Sequence, residues 1–328
     1  MKADVVTVGE SMVLFQPMQE GSLAYVPLFT RTIAGAESNV AIALTRLGIK
    51  TRWISRVGKD PFGDAIISTL AGEGVDTSLV IRDGSAPTSV FFKEYKGYGD
   101  PNVYYYRQNS AASRLSVEDV SENWFKGARL LHVTGITPAL GSNARDMVMK
   151  TMKLARKMGL IVSFDPNIRR KLWSETTARK TLLSLVPLCD IFLPGLEEAE
   201  FLLGARSIDD YGSCFLEMGA KVVALKLGTA GSKAFIQDAA VKVDSYPADR
   251  VLDTVGAGDA FAAGFLSTLL DENAMLDEVT RLKDLLKPAL ERANLMGSLA
   301  VRYRGDWEGY PRLDEVRRIQ AGSCQTTR

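Results

Sequence analysis

The chain has 328 residues, 46% of them hydrophobic and 24% charged, enough apolar content to bury a full core in one large domain or two modest ones. Forty basic residues against thirty-nine acidic ones leave a net charge of +1, so bulk electrostatics favour neither a nucleic acid nor an anionic membrane as partner. Cys189, Cys214 and Cys324 are far apart and form no CxxC pair, which argues against a disulfide framework or a thiolate metal site, and the lone histidine, His132, excludes a multi-histidine centre.

Val5 to Gly9 reads as a buried strand rather than a basic leader ahead of an apolar segment. No stretch reaches about eighteen apolar residues, so a cytoplasmic location without membrane insertion is expected. A helix is predicted over Ala36 to Leu47, closed by Gly48, and strand and helix then alternate. Further strands are predicted at Thr51 to Val57, Leu130 to Val133, Leu160 to Asp165, Ile191 to Leu193, Val222 to Leu227 and Lys233 to Ile236. Helices are predicted at Asp60 to Gly72, Ala144 to Met158, Thr176 to Val186, Leu196 to Leu203, Tyr211 to Met218, Asp259 to Leu270 and Leu282 to Arg302. Continuous apolar strands in such alternation imply an α/β fold with a mostly parallel sheet covered on both faces, and ligands collect at the carboxyl ends of its strands. His132, inside an apolar run, reads as a core or strand-end residue.

Two β-rich stretches break the rhythm, about 12–31 and 89–107, the second carrying Val103-Tyr104-Tyr105-Tyr106. They read as a small antiparallel flap that could exclude water, or else as two ordinary surface hairpins. The span 1–320 reads as one domain, and 321–328 as a disordered tail.

Asp253-Thr254-Val255-Gly256-Ala257-Gly258-Asp259 runs into an apolar helix. Three small residues let successive N–H groups of Gly256, Ala257 and Gly258 face one anion, and the positive end of the helix dipole adds to it. A carboxylate at the mouth of such a cradle suits a base that takes the proton of a hydroxyl attacking a phosphoryl group, which assigns that task to Asp259. A Gly-rich turn with Asp259 as a plain helix cap is the alternative. Lys226-Leu227-Gly228-Thr229-Ala230-Gly231 follows a strand and has two glycines three apart, which suits close approach to a nucleotide or simply ends the strand. Asp165-Pro166-Asn167-Ile168-Arg169 lies at another strand's carboxyl end. If Arg169 and Arg107 converge on one pocket, the substrate is anionic; if each pairs with a surface carboxylate, it need not be.

These segments, with Gly35 to Asn39 and Val57-Gly58-Lys59-Asp60-Pro61-Phe62-Gly63, occur in the order of the ribokinase/PfkB carbohydrate kinase family, which the chain resembles over nearly its full length. Within the family it most resembles the kinases of 2-keto-3-deoxygluconate, through Tyr105-Tyr106-Arg107, Phe164 to Arg169, Leu172-Trp173, Gly135 to Leu140 and Arg304-Gly305-Asp306-Trp307-Glu308-Gly309. The resemblance implies a ribokinase-like three-layer sandwich with the flap as lid. It implies that Gly35, Ala36, Glu37, Ser38, Asn39, Phe91, Tyr105, Tyr106, Arg107, Arg169, Asp259 and Asp306 meet an acid sugar. For ATP it implies Asn167, Arg169, Lys226, Leu227, Gly228, Thr229, Ala230, Gly231, Gly256, Ala257, Gly258, Asp259 and Asn294, and for a metal Glu198. ATP with Mg2+ is the expected cofactor pair, a monovalent cation such as K+ a further candidate, and a homo-oligomer is expected because flap strands offer a pairing edge. Two positions depart from the family: Phe91 replaces a tyrosine, and Gly195 stands where an asparagine precedes the acidic residue matched by Glu198.

The activity expected is phosphorylation of the terminal hydroxyl of a keto-deoxy sugar acid. The rivals are a kinase of a neutral ketose or sugar phosphate and a catalytically silent sugar-sensing protein. A dinucleotide-dependent dehydrogenase is disfavoured because Gly9 to Ser11 shows no GxGxxG.

Overall fold

The computed structural model describes residues 2–97, 101–272, 276 and 279–322. Its strands are β1 (Val5–Val8), β2 (Met12–Pro17), β3 (Phe29–Ala34), β4 (Thr51–Ile54), β5 (Arg56–Gly58), β6 (Ile81–Asp83), β7 (Val90–Glu94), β8 (Asn102–Tyr106), β9 (Leu130–Thr134), β10 (Ile161–Asp165), β11 (Ile191–Phe192), β12 (Val222–Lys226), β13 (Ser232–Ile236) and β14 (Ala239–Val243). The α-helices are α1 (Ala36–Arg46), α2 (Pro61–Gly72), α3 (Ser142–Lys157), α4 (Glu175–Leu185), α5 (Leu196–Leu203), α6 (Ile208–Glu217), α7 (Ala257–Asp271), α8 (Val279–Ala300) and α9 (Leu313–Gln320).

Successive side chains of a strand point to opposite faces, so an all-apolar strand needs cover on both. Val5 packs into a core with α1, α7 and α8, whereas Val6 and Val8 pack into a second core with α3, α4, α5 and α6. Val222 and Ala224 against Val223 and Leu225 repeat the division on β12. The result is a ribokinase-like three-layer sandwich around an eight-stranded sheet of order β14-β13-β12-β11-β10-β9-β1-β4. Six of these strands run parallel, and the β13–β14 hairpin closes one edge antiparallel. From β1 the chain leaves toward β4, and from β9 toward β10, so a crevice opens outside the carboxyl ends of β1 and β9.

The flap is a separate four-stranded sheet of order β3-β2-β7-β8. Its two outer pairings are antiparallel and its middle pairing, β2 with β7, is parallel, because the two stretches enter from the same side. The run predicted as one strand over Thr51 to Val57 breaks at Ser55, after which β5 pairs with β6. Strands β6 and β14 and helix α9 lie outside the predicted elements. His132 sits in β9, fully buried, and burial pushes its pKa down to about 3, which makes it a neutral core residue. The segment predicted as a tail begins as a turn at Ala321 and Gly322; positions 323–328, Cys324 among them, lie outside the described residues.

Candidate active site

Helix α7 begins at Gly256, whose φ of +81° places it in the left-handed region, and no side chain caps the first turn. A Cβ at Gly256 would lie 1.8 Å from the Asp306 carbonyl oxygen, so only glycine lets the cradle and the 304–309 segment approach this closely. Tyr310 Oη donates to the Gly256 carbonyl at 2.8 Å and fixes the same turn from outside. The helix leaves Gly258 facing the strand ends: a Cβ there would sit 3.7 Å from Lys226 Nζ, so an ammonium borders the cradle.

Asp259 is 7% exposed. Burial raises its pKa from 3.8 to about 8; the Asn39 hydrogen bond opposes this, Asp165 adds to it, and Arg169 lowers it. Asn39 Nδ2 donates to Asp259 Oδ2 at 2.8 Å, and Asn167 Nδ2 approaches Oδ1 at 3.4 Å. Asn167 is one of two described non-glycine residues in the left-handed region, φ +34°, a conformation its own N–H to Asp165 Oδ1 helps to hold. Three elements thus converge on one carboxylate whose proton affinity is tuned toward neutrality, as a general base requires.

A cavity of about 100 Å³ adjoins Asp259, lined by Glu10, Gly35, Asn39, Phe91, Tyr105, Arg107, Arg169 and Asp306 among others. The two arginines therefore share one pocket, though differently. Arg107 is nearly buried, pairs with Glu10, lies 5.4 Å over the Tyr105 ring, and leaves Nε without an acceptor. Arg169 is exposed at the cavity's rim, and its guanidinium makes no hydrogen bond or ion pair with a described residue. Gly35 is held by sterics, since a Cβ would lie 2.3 Å from the Glu10 carbonyl oxygen. Phe91 packs against Tyr105 with ring centroids 5.5 Å apart and planes tilted by 30°, and gives the cavity an apolar wall.

Several expected contacts are placed elsewhere. Glu37 is fully buried away from the cavity, where burial raises its pKa and Thr134 and Thr137 donate to Oε1. Ser38 bonds Ser11 and the Gly35 carbonyl. Tyr106 lies 65% exposed, on the opposite side of β8 from Tyr105. Asn294 donates from Nδ2 to the Val243 and Asp244 carbonyls and accepts from Ser232 at Oδ1, which ties α8 to the β13–β14 hairpin. Glu198 accepts from the Ile168 and Gly195 backbone amides at 2.8 and 2.7 Å, closing the start of α5 across the glycine that departs from the family pattern. Leu227, Gly228, Thr229 and Ala230 form the turn after β12, of which 228–230 are exposed, while Gly231 is buried with φ +86°.

A model of the pfkB family carbohydrate kinases matches residues 2–312. The chain belongs to the PfkB family. It is 41% identical over 318 residues to the 2-dehydro-3-deoxygluconokinase of Bacillus subtilis (strain 168), covering 96% of this chain and 95% of that one. It is 31% identical to fructokinase-1 of Oryza sativa subsp. japonica, covering 96% of this chain and 97% of that one. The crystal structure of a fructokinase with bound ATP from Xylella fastidiosa superposes with a TM-score of 0.86 at 25% identity, over 98% of this chain and 100% of that one.

This PfkB kinase is thus a sugar kinase, and three of its side chains were not singled out from the sequence. Glu10 follows β1 and holds Arg107 together with donations from Ser89 and Ser110 at 2.8 and 3.0 Å. Asp165 takes Lys226 Nζ at 2.6 Å; burial pulls that ammonium's pKa down, but Asp165 and Glu198 outweigh it and hold it above the ordinary lysine value. Lys93 reaches the cavity from the flap. A polar residue directly after an apolar strand was the one available signal for Glu10; the alternation Phe91, Lys93 was the signal for Lys93.

Proposed function

We propose that this kinase transfers the γ-phosphoryl group of ATP to the terminal primary hydroxyl of 2-keto-3-deoxygluconate, giving 2-keto-3-deoxy-6-phosphogluconate and ADP in the cytoplasm. The observation that carries the reading is the shared cavity: Arg107 and Arg169 face the same space as Asp259. A neutral hexose needs no guanidinium, whereas a sugar acid presents a carboxylate to one end of the pocket and a hydroxyl to the other. The name of the Bacillus subtilis relative supports the same substrate.

In this mechanism Asp259 takes the hydroxyl proton as the new O–P bond forms and the bond from Pγ to the bridging oxygen of ADP breaks. Asn39 and Asn167 hold the carboxylate in place, and the backbone amides of Gly256 to Gly258 take up charge on the transferring group. Lys226, steadied by Asp165, faces the phosphates, and the exposed turn 228–230 leaves room for the nucleotide. The donor set fits magnesium as a companion of ATP rather than as a resident ion: no group of three or more metal-binding side chains gathers among the described residues, while Asp165 and Glu198 flank Lys226. Mg2+ bound with ATP would neutralise triphosphate charge. A dependence on K+ and a homo-oligomer formed through the flap belong to the same reading; Tyr106 at 65% and Tyr25 at 86% exposure give the flap exposed aromatic surface for such contact.

A neutral ketose is the second reading, favoured by the Glu10 carboxylate, which already neutralises Arg107, and by the fructokinase relative. ADP release on 2-keto-3-deoxygluconate, its galactonate-derived epimer, fructose and ribose separates the two. The sugar acids are expected to exceed fructose in kcat/KM by at least about 100-fold; equal or better use of fructose refutes the acid assignment.

A further inference from the structure

Lys93 sits on flap strand β7 with 1% exposure, a position where an unpaired ammonium would be prohibitively costly. Its Nζ donates to Asp253 Oδ2 at 2.9 Å and to Asp306 Oδ1 at 3.2 Å. Each of these carboxylates belongs to a different wall of the phosphate cradle. Asp253 Oδ1 accepts the Val255 N–H at 3.1 Å, which shapes the turn into Gly256. Asp306 presses its carbonyl against Gly256 from the other side, at the contact that forbids any Cβ there.

The segment around Asp306 is fastened to the flap a second time. Thr32 Oγ1 donates to Glu308 Oε1 at 2.5 Å and Trp307 Nε1 to the Ile33 carbonyl at 2.9 Å, so β3 holds the same loop that β7 reaches through Lys93. Lys93 shares the i, i+2 face of β7 with Phe91, and both line the sugar cavity. We propose that Lys93 is a positioning residue for the transfer step: its ammonium gathers Asp253 and Asp306 on either side of Gly256 and thereby couples the seating of the flap over the sugar to the geometry of the anion cradle. The inference rests on reading Gly256 to Gly258 as the site of the transferring phosphate, and not on which sugar is bound.

Stability alone gives a weak reason for this arrangement, because a buried lysine between two carboxylates is seldom more stable than an apolar trio of the same volume. The trio also carries one surplus negative charge close to the base, and Asp306 contributes to the raised pKa of Asp259. A structural pair and a positioning cation differ in what they do to turnover. Loss of packing lowers the folded fraction or the sugar affinity, whereas loss of cradle geometry lowers kcat at unchanged KM.

The test uses the full-length kinase and whichever acceptor the wild type turns over fastest, so that an error in the substrate assignment does not enter the result. Lys93→Ala is expected to lower kcat about 100-fold with the sugar KM changed less than about threefold. Added n-propylammonium, which returns a cation to the vacated space, is expected to restore kcat at least about tenfold, and n-propanol is not. The triple variant Lys93→Met with Asp253→Asn and Asp306→Asn leaves no buried carboxylate without its cation; it is expected to melt near the wild type and to keep the low kcat. Wild-type kcat in either variant, a rise in KM with kcat intact, or equal rescue by propanol overturns the proposal.

Discussion

Asn39 Nδ2 donates to Asp259 Oδ2 at 2.8 Å across 220 residues of sequence, joining the first turn of α1 to the first turn of α7. The bond orients the carboxylate proposed as the base and opposes the burial that raises its pKa to about 8. Asn39→Ala removes a donor to the charged form, so the acidic limb of the kcat/KM profile is expected to move up by about one pH unit. Rates measured from pH 6 to 10 check this; an unmoved limb would mean that Asn39 does not tune the base.

The same shift governs stability. Asp259 is neutral in the folded protein up to about pH 8 but ionises near 3.8 when unfolded, so its contribution is full below 3.8 and lost as pH rises through about 8. The unfolded state binds fewer protons over that window, and folding weakens with increasing pH. Asp259→Asn abolishes this dependence: its stability relative to the wild type should rise by a few kcal/mol between pH 5 and pH 9 in urea melts. A constant difference would show that the carboxyl titrates normally.

Gly256→Ala combines a left-handed backbone with the clash against Asp306. The expected loss is about 2 kcal/mol or more of stability and about 100-fold or more in kcat, from calorimetry and initial rates. Gly72→Ala, where a Cβ meets nothing within 4 Å, serves as the silent control.

Arg107→Met leaves Glu10 buried without its partner at a cost of about 3 kcal/mol, most of which Glu10→Gln in the same chain should return. Sugar-acid KM should rise about 100-fold in both variants while fructose use is unchanged. A variant that loses both sugars equally would make Arg107 a scaffold residue rather than a carboxylate receptor.

The sequence displayed some of this site and hid the rest for identifiable reasons. Gly256 to Asp259 stands out because three small residues, a carboxylate and a helix start are contiguous, and the flap because its two segments have no helix between their strands. Lys93 was hidden because its partners are 160 and 213 positions away, and an isolated charge in a short strand reads as solvent-facing. Tyr106 was misplaced because neighbouring tyrosines lie on opposite faces, and only the pairing of Phe91 with Tyr105 fixes which one turns inward. Asn294 comes from the family resemblance; its bonds to the β13–β14 hairpin were hidden because β14, an alternation of half-buried and exposed residues, carries no apolar run.

Asp259 is proposed as the base of a phosphoryl transfer whose two reactants are bound by other groups. Asp259→Asn should bind ATP and 2-keto-3-deoxygluconate within about threefold of the wild type by calorimetry, while kcat falls about 10,000-fold in the ADP-release assay. Turnover within tenfold of the wild type at full binding would contradict it.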